Sequence, residues 1–264
     1  MELKIYKIKL EELYTKYNHR KYVHPDPLEF LYSYEDLRDR EIVGLVASSL
    51  AYGRVEQILK SVSMALERMQ TPSHFLKNSS LDSLRSVFKN FRHRFTTGED
   101  LAKMLFGAKQ VIENYGSLYA CFKSKINDED ATVFPALSSF MFELSVLNNC
   151  MKNTLVPSPL KGSACKRMNL FLRWMVRKDD VDPGGWEKVP ISKLIAPLDT
   201  HLYRICFALN LSQRKQADIK TAFEITQAFR KISPEDPVKY DFALTRLGIR
   251  GIRSILEIAN HFLN

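Results

Sequence analysis

Apolar residues recur along most of this chain at three- and four-residue spacing, the period of a helix that turns one face inward. Gly is scarce, 10 of 264 residues, so few positions invite the tight turns of a β protein. The pattern predicts an all-α fold. Its strongest stretch, DREIVGLVASSLAYGRVEQILKSVSMALERM, predicts a helix from about Asp39 to Met69, entered after the turn-rich HPDPLEF and broken near Gly53. The first half of that stretch is too apolar for a surface helix. Further helices are predicted over SLDSLRSVFKNF, GEDLAKMLFGAKQVIENYG and FPALSSFMFELSVL, each opened by a Ser, Gly or Pro.

The next segment, NNCMKNTLVPSPLKGSA, is rich in Pro, Ser and Asn, and an apolar helix follows with Met168, Phe171, Leu172 and Met175 at i, i+3, i+4 and i+7. Helix, tight Pro/Gly turn and helix together predict a helical hairpin over about residues 134–177. Beyond it RKDDVDPGGWEKVP reads as a polar loop, APLDTHLYRICFALNL as a short helix capped by Asp199, and DIKTAFEITQAFRKI as another helix. SPEDPVKYDFALTRLG reads as a last helix with Pro237 near its start and Gly248 as its stop. There is no internal repeat and no low-complexity linker, so residues 1–264 are expected to form one unit.

Composition changes this picture in two ways. The 39 basic and 30 acidic residues give a formal charge of +9, which suits a polyanionic partner and equally suits a merely well-solvated surface. Cys121, Cys150, Cys165 and Cys206 lie far apart, and the six histidines show no metal-binding spacing. Reduced thiols, no metal and no cofactor are therefore expected. The absence of GxGxxG, P-loop and GxSxG motifs argues against nucleotide-cofactor enzymes and serine hydrolases. No apolar run is long enough for a membrane span and MELKIYKIKLEELYTKY is not a signal-peptide core, so a cytoplasmic protein with no membrane partner is expected.

Lys166 and Asp199 are the residues with chemical promise. A lysine in the first turn of a helix faces the positive end of the dipole, and apolar surroundings act the same way, making its amine easier to use as a nucleophile. Such help matters because a free lysine holds its proton up to a pKa of about 10.4. Taken alone, Lys166 reads as a solvated surface lysine and Asp199 as a helix N-cap. A capping carboxylate can still project its second oxygen into a cleft.

As a pair they carry a resemblance. The segment GSACKRMN resembles the helix-hairpin-helix of the DNA glycosylases typified by endonuclease III and 8-oxoguanine glycosylase, whose Gly-x-Gly-x-Lys turn carries a nucleophilic lysine. Gly162 and Lys166 match; Ala164 stands at the second glycine. LDTHLYRI is similar to the family's Val-Asp-Thr-His, which places Asp199 on its catalytic aspartate. EIVGLVASSLAYGRV resembles the buried helix that ends in Leu-Ser-Ala-Gln, with Ala51 at the Gln position. The long Lys-to-Asp segment and DFALTRLG are similar to the archaeal 8-oxoguanine glycosylase branch, where Asp241 matches the base-contacting aspartate and Thr245 replaces a stacking tryptophan. The whole chain also resembles a bacterial family of unassigned function related to that branch.

The resemblance implies a two-lobed helical fold with the hairpin at an interlobe cleft, and a monomeric, nucleoid-associated base-excision repair glycosylase with lyase activity. Its implied partner is double-stranded DNA carrying a damaged base, with 8-oxoguanine the lesion expected. Lys166 would attack the sugar C1′ and form a Schiff base, Asp199 would stabilise the positive charge, and Asp241 would touch the base. Lys161, Gly162, Ala164, Arg167, Arg173 and His201 would contact DNA. His201 equally suits local packing or capping; Trp186 is either a loop anchor or a DNA-facing aromatic. Phe171 and Trp174 read as core, and Cys165 as a small packing residue in a place that would also suit a modifiable thiol. Two rival readings are a non-catalytic DNA-binding relative, favoured by Ala51 and Thr245, and a helical protein-interaction scaffold with an incidental basic surface.

Overall fold

A computed structural model describes residues 2–146, 153–156 and 162–250 of the chain. Those residues are mostly helical. The helix expected from Asp39 to Met69 divides into α2 (Leu37–Ser49) and α3 (Val55–Met69), with the break around Gly53. α1 (Glu2–Tyr17), α4 (Pro72–Lys77) and α7 (Leu118–Ser124) are additions to the predicted set. The expected helices follow as α5 (Leu81–Phe88), α6 (Gly98–Tyr115), α8 (Phe134–Val146), α9 (Lys166–Val176), α10 (Thr200–Ala208) and α11 (Ile219–Ile232).

The last described helix, α12, spans Asp241–Arg250 and runs through Gly248. Gly248 is therefore not a stop: glycine within a helix costs about 1 kcal/mol relative to alanine without ending it. Between α8 and α9 the described residues 153–156 and 162–165 are non-helical, so these helices are joined by more than a tight turn. A two-stranded hairpin, β1 (Arg92–His93) with β2 (Thr96–Thr97), departs from the all-helical pattern. None of the described helices is long and apolar enough to cross a membrane.

α2 is the central helix. Asp36 caps it by accepting from the Arg38 and Asp39 amides at 2.8 and 3.2 Å, and Glu41 through Ser49 are all buried. α9 crosses it at Gly44, where an added Cβ would meet Phe171 and Met175 at 3.3 Å. Only the missing side chain lets the two helices approach this closely. Around this pair α6 packs against α5, α7 and α8, while α12 packs against α1 and α10, and α11 against α1.

Glu41 is the one charged residue type in the buried run of α2, and its carboxylate accepts three hydrogen bonds. The Leu118 and Tyr119 amides, at the open start of α7, donate at 3.0 and 3.1 Å, and the Trp186 indole donates at 2.9 Å. Trp186 is wholly buried among Tyr119, Phe122, Phe140 and Phe171. It is a loop anchor and has no DNA-facing surface. One carboxylate thus joins α2, α7 and the loop after α9.

Burial pushes the Glu41 carboxyl up to about 7, with its three donors opposing a further rise. A carboxyl raised above its unfolded value of about 4.3 binds its proton more tightly when folded. Its contribution is complete below that value and is lost as pH climbs through 7. Urea unfolding at pH 5 and pH 8 is expected to show the wild type losing on the order of 3 kcal/mol relative to Glu41→Gln. An unchanged gap between the two proteins would refute this.

Candidate active site

The backbone before α9 is bent twice to deliver a lysine at the helix start. Gly162 has φ 80° and its carbonyl accepts from the Ile219 amide at 3.2 Å, while Ser163 forms a bridge with Asp218, the N-cap of α11. Ser163 Oγ accepts from the Cys165 amide at 3.2 Å, and Cys165 itself lies in the left-handed region at φ 48°. Ala164 is buried, with its carbonyl held by Asn169 Nδ2 at 3.0 Å. Lys166 is the first residue of the helix, within the first turn as the sequence predicts.

Asp199 comes from the opposite wall. Its Oδ1 accepts from the Leu202 amide at 2.8 Å and caps α10, as the sequence predicts. Its Oδ2 lies 3.7 Å from Lys166 Nζ, which also donates to the Ala51 carbonyl at 3.4 Å. One oxygen holds a helix and the other faces the amine. Both residues are partly exposed, 33% for the lysine side chain and 23% for the aspartate, so the pair can be reached from solvent.

Lys166 and Asp199 sit between two hollows. The deeper, of about 190 Å³, is also lined by Arg173, Trp174, Asp241, Arg246 and Asp26. Arg173 donates to Asp241, and Arg246 to Asp26. Burial raises the Asp241 carboxyl to about 6, and the Arg173 guanidinium limits that rise. With Lys166 set against Asp199, each of these three cations faces a carboxylate. Such a wall offers no net charge to an anion. It suits a neutral ring that hydrogen-bonds, and a cavity of about 150 Å³ already holds one benzene ring.

The shallower hollow, of about 510 Å³, opens past Tyr52, Ser163 and Arg167, and exposed His201 lies on the rim shared by both. The structure thus brings Lys166, Asp199, Asp241 and His201 together, with Gly162 and Ala164 in the turn beneath. Lys161 lies outside the described residues.

One expected DNA contact is corrected. Arg173 is 4% exposed and held between Asp182, at 3.2 Å, and Asp241, so it cannot reach a phosphate. Arg167 spends its guanidinium on the carbonyls of Ser49 and Thr154, at 2.9 and 2.6 Å. It fixes the end of α2 to α9, and the half-buried side chain still lines the shallower hollow. Cys165 is buried, which raises its thiol to about 11, so it packs and does not react. Phe171 and Trp174 are core, as their spacing implies.

The Arg246–Asp26 pair and Tyr52 were not singled out from the sequence. Asp26 sits in the turn-rich HPDPLEF and Arg246 five residues past Asp241, and neither position carries a local signal.

Residues 26–250 match the family described as a protein of unknown function (DUF2400). No curated protein and no solved structure matches the chain.

Arg173 and Arg177 together face Asp179, Asp182, Asp236 and Asp241. Removing one side of a buried pair leaves an uncompensated charge, at a cost of about 3–5 kcal/mol. Arg173→Gln is expected to lose that much in urea unfolding, and adding Asp241→Asn to recover part of it, as coupled neighbours do. A loss under about 1 kcal/mol would mean that the aspartates do not depend on this guanidinium.

Proposed function

Since the chain belongs to the DUF2400 family, whose description assigns no activity, its chemistry has to be read from this site, and we propose that it is a DNA glycosylase with lyase activity. One observation carries the proposal: a lysine at a helix start, 3.7 Å from a carboxylate oxygen, beside a hollow whose other charges are paired. The resemblance of GSACKRMN and LDTHLYRI to helix-hairpin-helix glycosylases supports the same roles. The packing of α5 to α8 around α6, and of α1 and α10 to α12 with one another, is compatible with the two-lobed arrangement those enzymes have.

A base inside a duplex is out of reach of any side chain, so the nucleotide would be extruded into the 190 Å³ hollow at a cost of a few kcal/mol. That cost is least for a damaged pair, and oxidised guanine is the base we favour. Lys166 Nζ, after giving a proton to Asp199 Oδ2, attacks C1′; the glycosidic bond breaks and its electron pair leaves with the base. Asp199 hands that proton on to the departing base and, ionised again, offsets the positive charge on the sugar, while its Oδ1 stays bound to the helix start. The resulting secondary ammonium loses a proton, and ring opening with proton transfer to O4′ gives a Schiff base. Removal of a C2′ proton from it then expels the 3′ phosphate, cleaving the strand.

Phosphates on either side of the lesion would lie along the basic surface and the turn at Gly162, which gives affinity without sequence preference. We place the protein at the nucleoid, as a monomer. Asp241 would meet the base across the hollow, together with the Arg173 that fixes it.

Borohydride reduction tests the amine. Incubated with duplexes carrying 8-oxoguanine, uracil, thymine glycol or an abasic site, the wild type is expected to become covalently linked to a damaged-base duplex, and Lys166→Gln to form no adduct. Asp199→Asn is expected to keep the α10 cap and lose at least about a hundredfold in rate, the scale of a lost acid–base or charge-stabilising group. A fully active Asn variant would remove Asp199 from the mechanism. Salt-sensitive DNA binding with no adduct on any duplex would leave a DNA-binding protein without this chemistry.

A further inference from the structure

The chemistry above makes no use of the β1–β2 hairpin, which hydrogen bonds from Tyr52 and Ser61 hold in place. Its two-residue tip is Arg94, at φ 54°, and Phe95. Phe95 is 59% exposed, and its ring stacks on that of Tyr52 with centroids 5.0 Å apart and planes 25° from parallel. Gly53 makes room for the tip, since a Cβ there would meet the Arg94 side chain at 2.8 Å.

Beneath the stack every polar atom named is fixed. The Tyr52 hydroxyl meets the His93 carbonyl at 3.0 Å and Thr96 Oγ1 at 2.6 Å. Buried His93 donates from Nε2 to the Tyr52 carbonyl at 3.0 Å, so its Nδ1 is left to accept from Ser61 Oγ at 2.9 Å. Burial lowers the pKa of His93, which keeps this anchor neutral. A rigid scaffold therefore holds the Phe95 ring in place with more than half of it exposed.

Its surroundings say what would cover it. Residues 89–97 and 51–55 contain Lys89, Arg92, Arg94 and Arg54 and no carboxylate. Tyr52 also lines the hollow that opens onto Lys166 and Asp199, and Ala51, its neighbour, receives the Lys166 amine. An exposed aromatic flanked by guanidinium groups matches a nucleobase joined to phosphates: stacking takes any base, and the cations follow the backbone.

We infer that Phe95, seated on Tyr52, is a stacking platform for a base of the strand that passes Lys166, next to the nucleotide drawn into the hollow. The inference rests on the reading of this chain as a DNA-processing protein. It adds a second contact element, remote in sequence from α9, that keeps the neighbouring base in a stack while its partner is extruded.

The full chain would be bound to a duplex with a tetrahydrofuran abasic analogue and 5-iodouracil at the adjacent position, then irradiated and digested. Cross-links are expected at Phe95 or Tyr52. Phe95→Leu, which keeps an apolar side chain without a π-face, is expected to weaken binding by roughly fivefold to a hundredfold, the effect of one lost base–aromatic stack. Phe95→Tyr is expected to restore it. Cross-links mapping elsewhere, or wild-type affinity in the Leu variant, would overturn the platform.

Borohydride reduction on a true abasic site separates the two ideas. Cross-linking at Phe95 without any reducible adduct would remove the lyase reading and leave the platform standing; absence of DNA binding would remove both.

Discussion

The site depends on how closely α9 can lie against α2. At Gly44 the helices meet with no side chain on one of them, and Phe171 and Met175 fill the space a Cβ would need. This contact sets the depth of α9, and so where Lys166 emerges at its first residue. Arg167 then pins the helix start to the Ser49 carbonyl, at the last turn of α2. The amine consequently lands on the carbonyl of Ala51, just beyond the end of the helix that supports it. Packing along the helix pair and placement of the amine are one constraint.

The same helix carries its costliest charges at the far end. Arg173 and Arg177 are both nearly inaccessible, and four aspartates from the following loop, the loop before α12 and α12 itself converge on them. Buried pairs of this kind repay their desolvation only when geometry is tight, so they add little net stability, but they tolerate few alternative arrangements. Here that intolerance has a use. Asp241 forms the wall of the hollow, and its carboxyl position is set by Arg173, which is itself set by α9. Lys166 and Asp241, both in the lining of the hollow, are thus referred to one helix.

What the sequence makes legible follows from how local each signal is. The break near Gly53 and the Asp199 cap can be seen in a few adjacent residues, because both are decided by neighbours in the chain. Arg173 misleads for the opposite reason. Nothing adjacent shows that aspartates up to 68 positions away in sequence will meet it, so a basic residue on the lysine helix reads as a phosphate contact. The strands at Arg92–His93 and Thr96–Thr97 are too short for alternation to register, and KNFRHRF shows only its charge. Trp186 could be placed in its loop but not assigned a face, because Glu41, its partner, is 145 residues distant.

Ala51 shows how a departure from a pattern can be absorbed. The resemblance to helix-hairpin-helix glycosylases sets it at a position where those enzymes carry Gln, and an alanine side chain offers no hydrogen bond in its place. The structure uses the backbone at this position instead: the Ala51 carbonyl accepts from Lys166 at 3.4 Å, and any residue supplies a carbonyl. The side chain turns out to matter one residue later. Tyr52 follows directly, locked to His93 and Thr96 and facing the opening. The turn after α2 therefore keeps contact with the amine through main chain and offers an aromatic surface beside it. An alanine at 51 therefore leaves the placement of the Lys166 amine undisturbed.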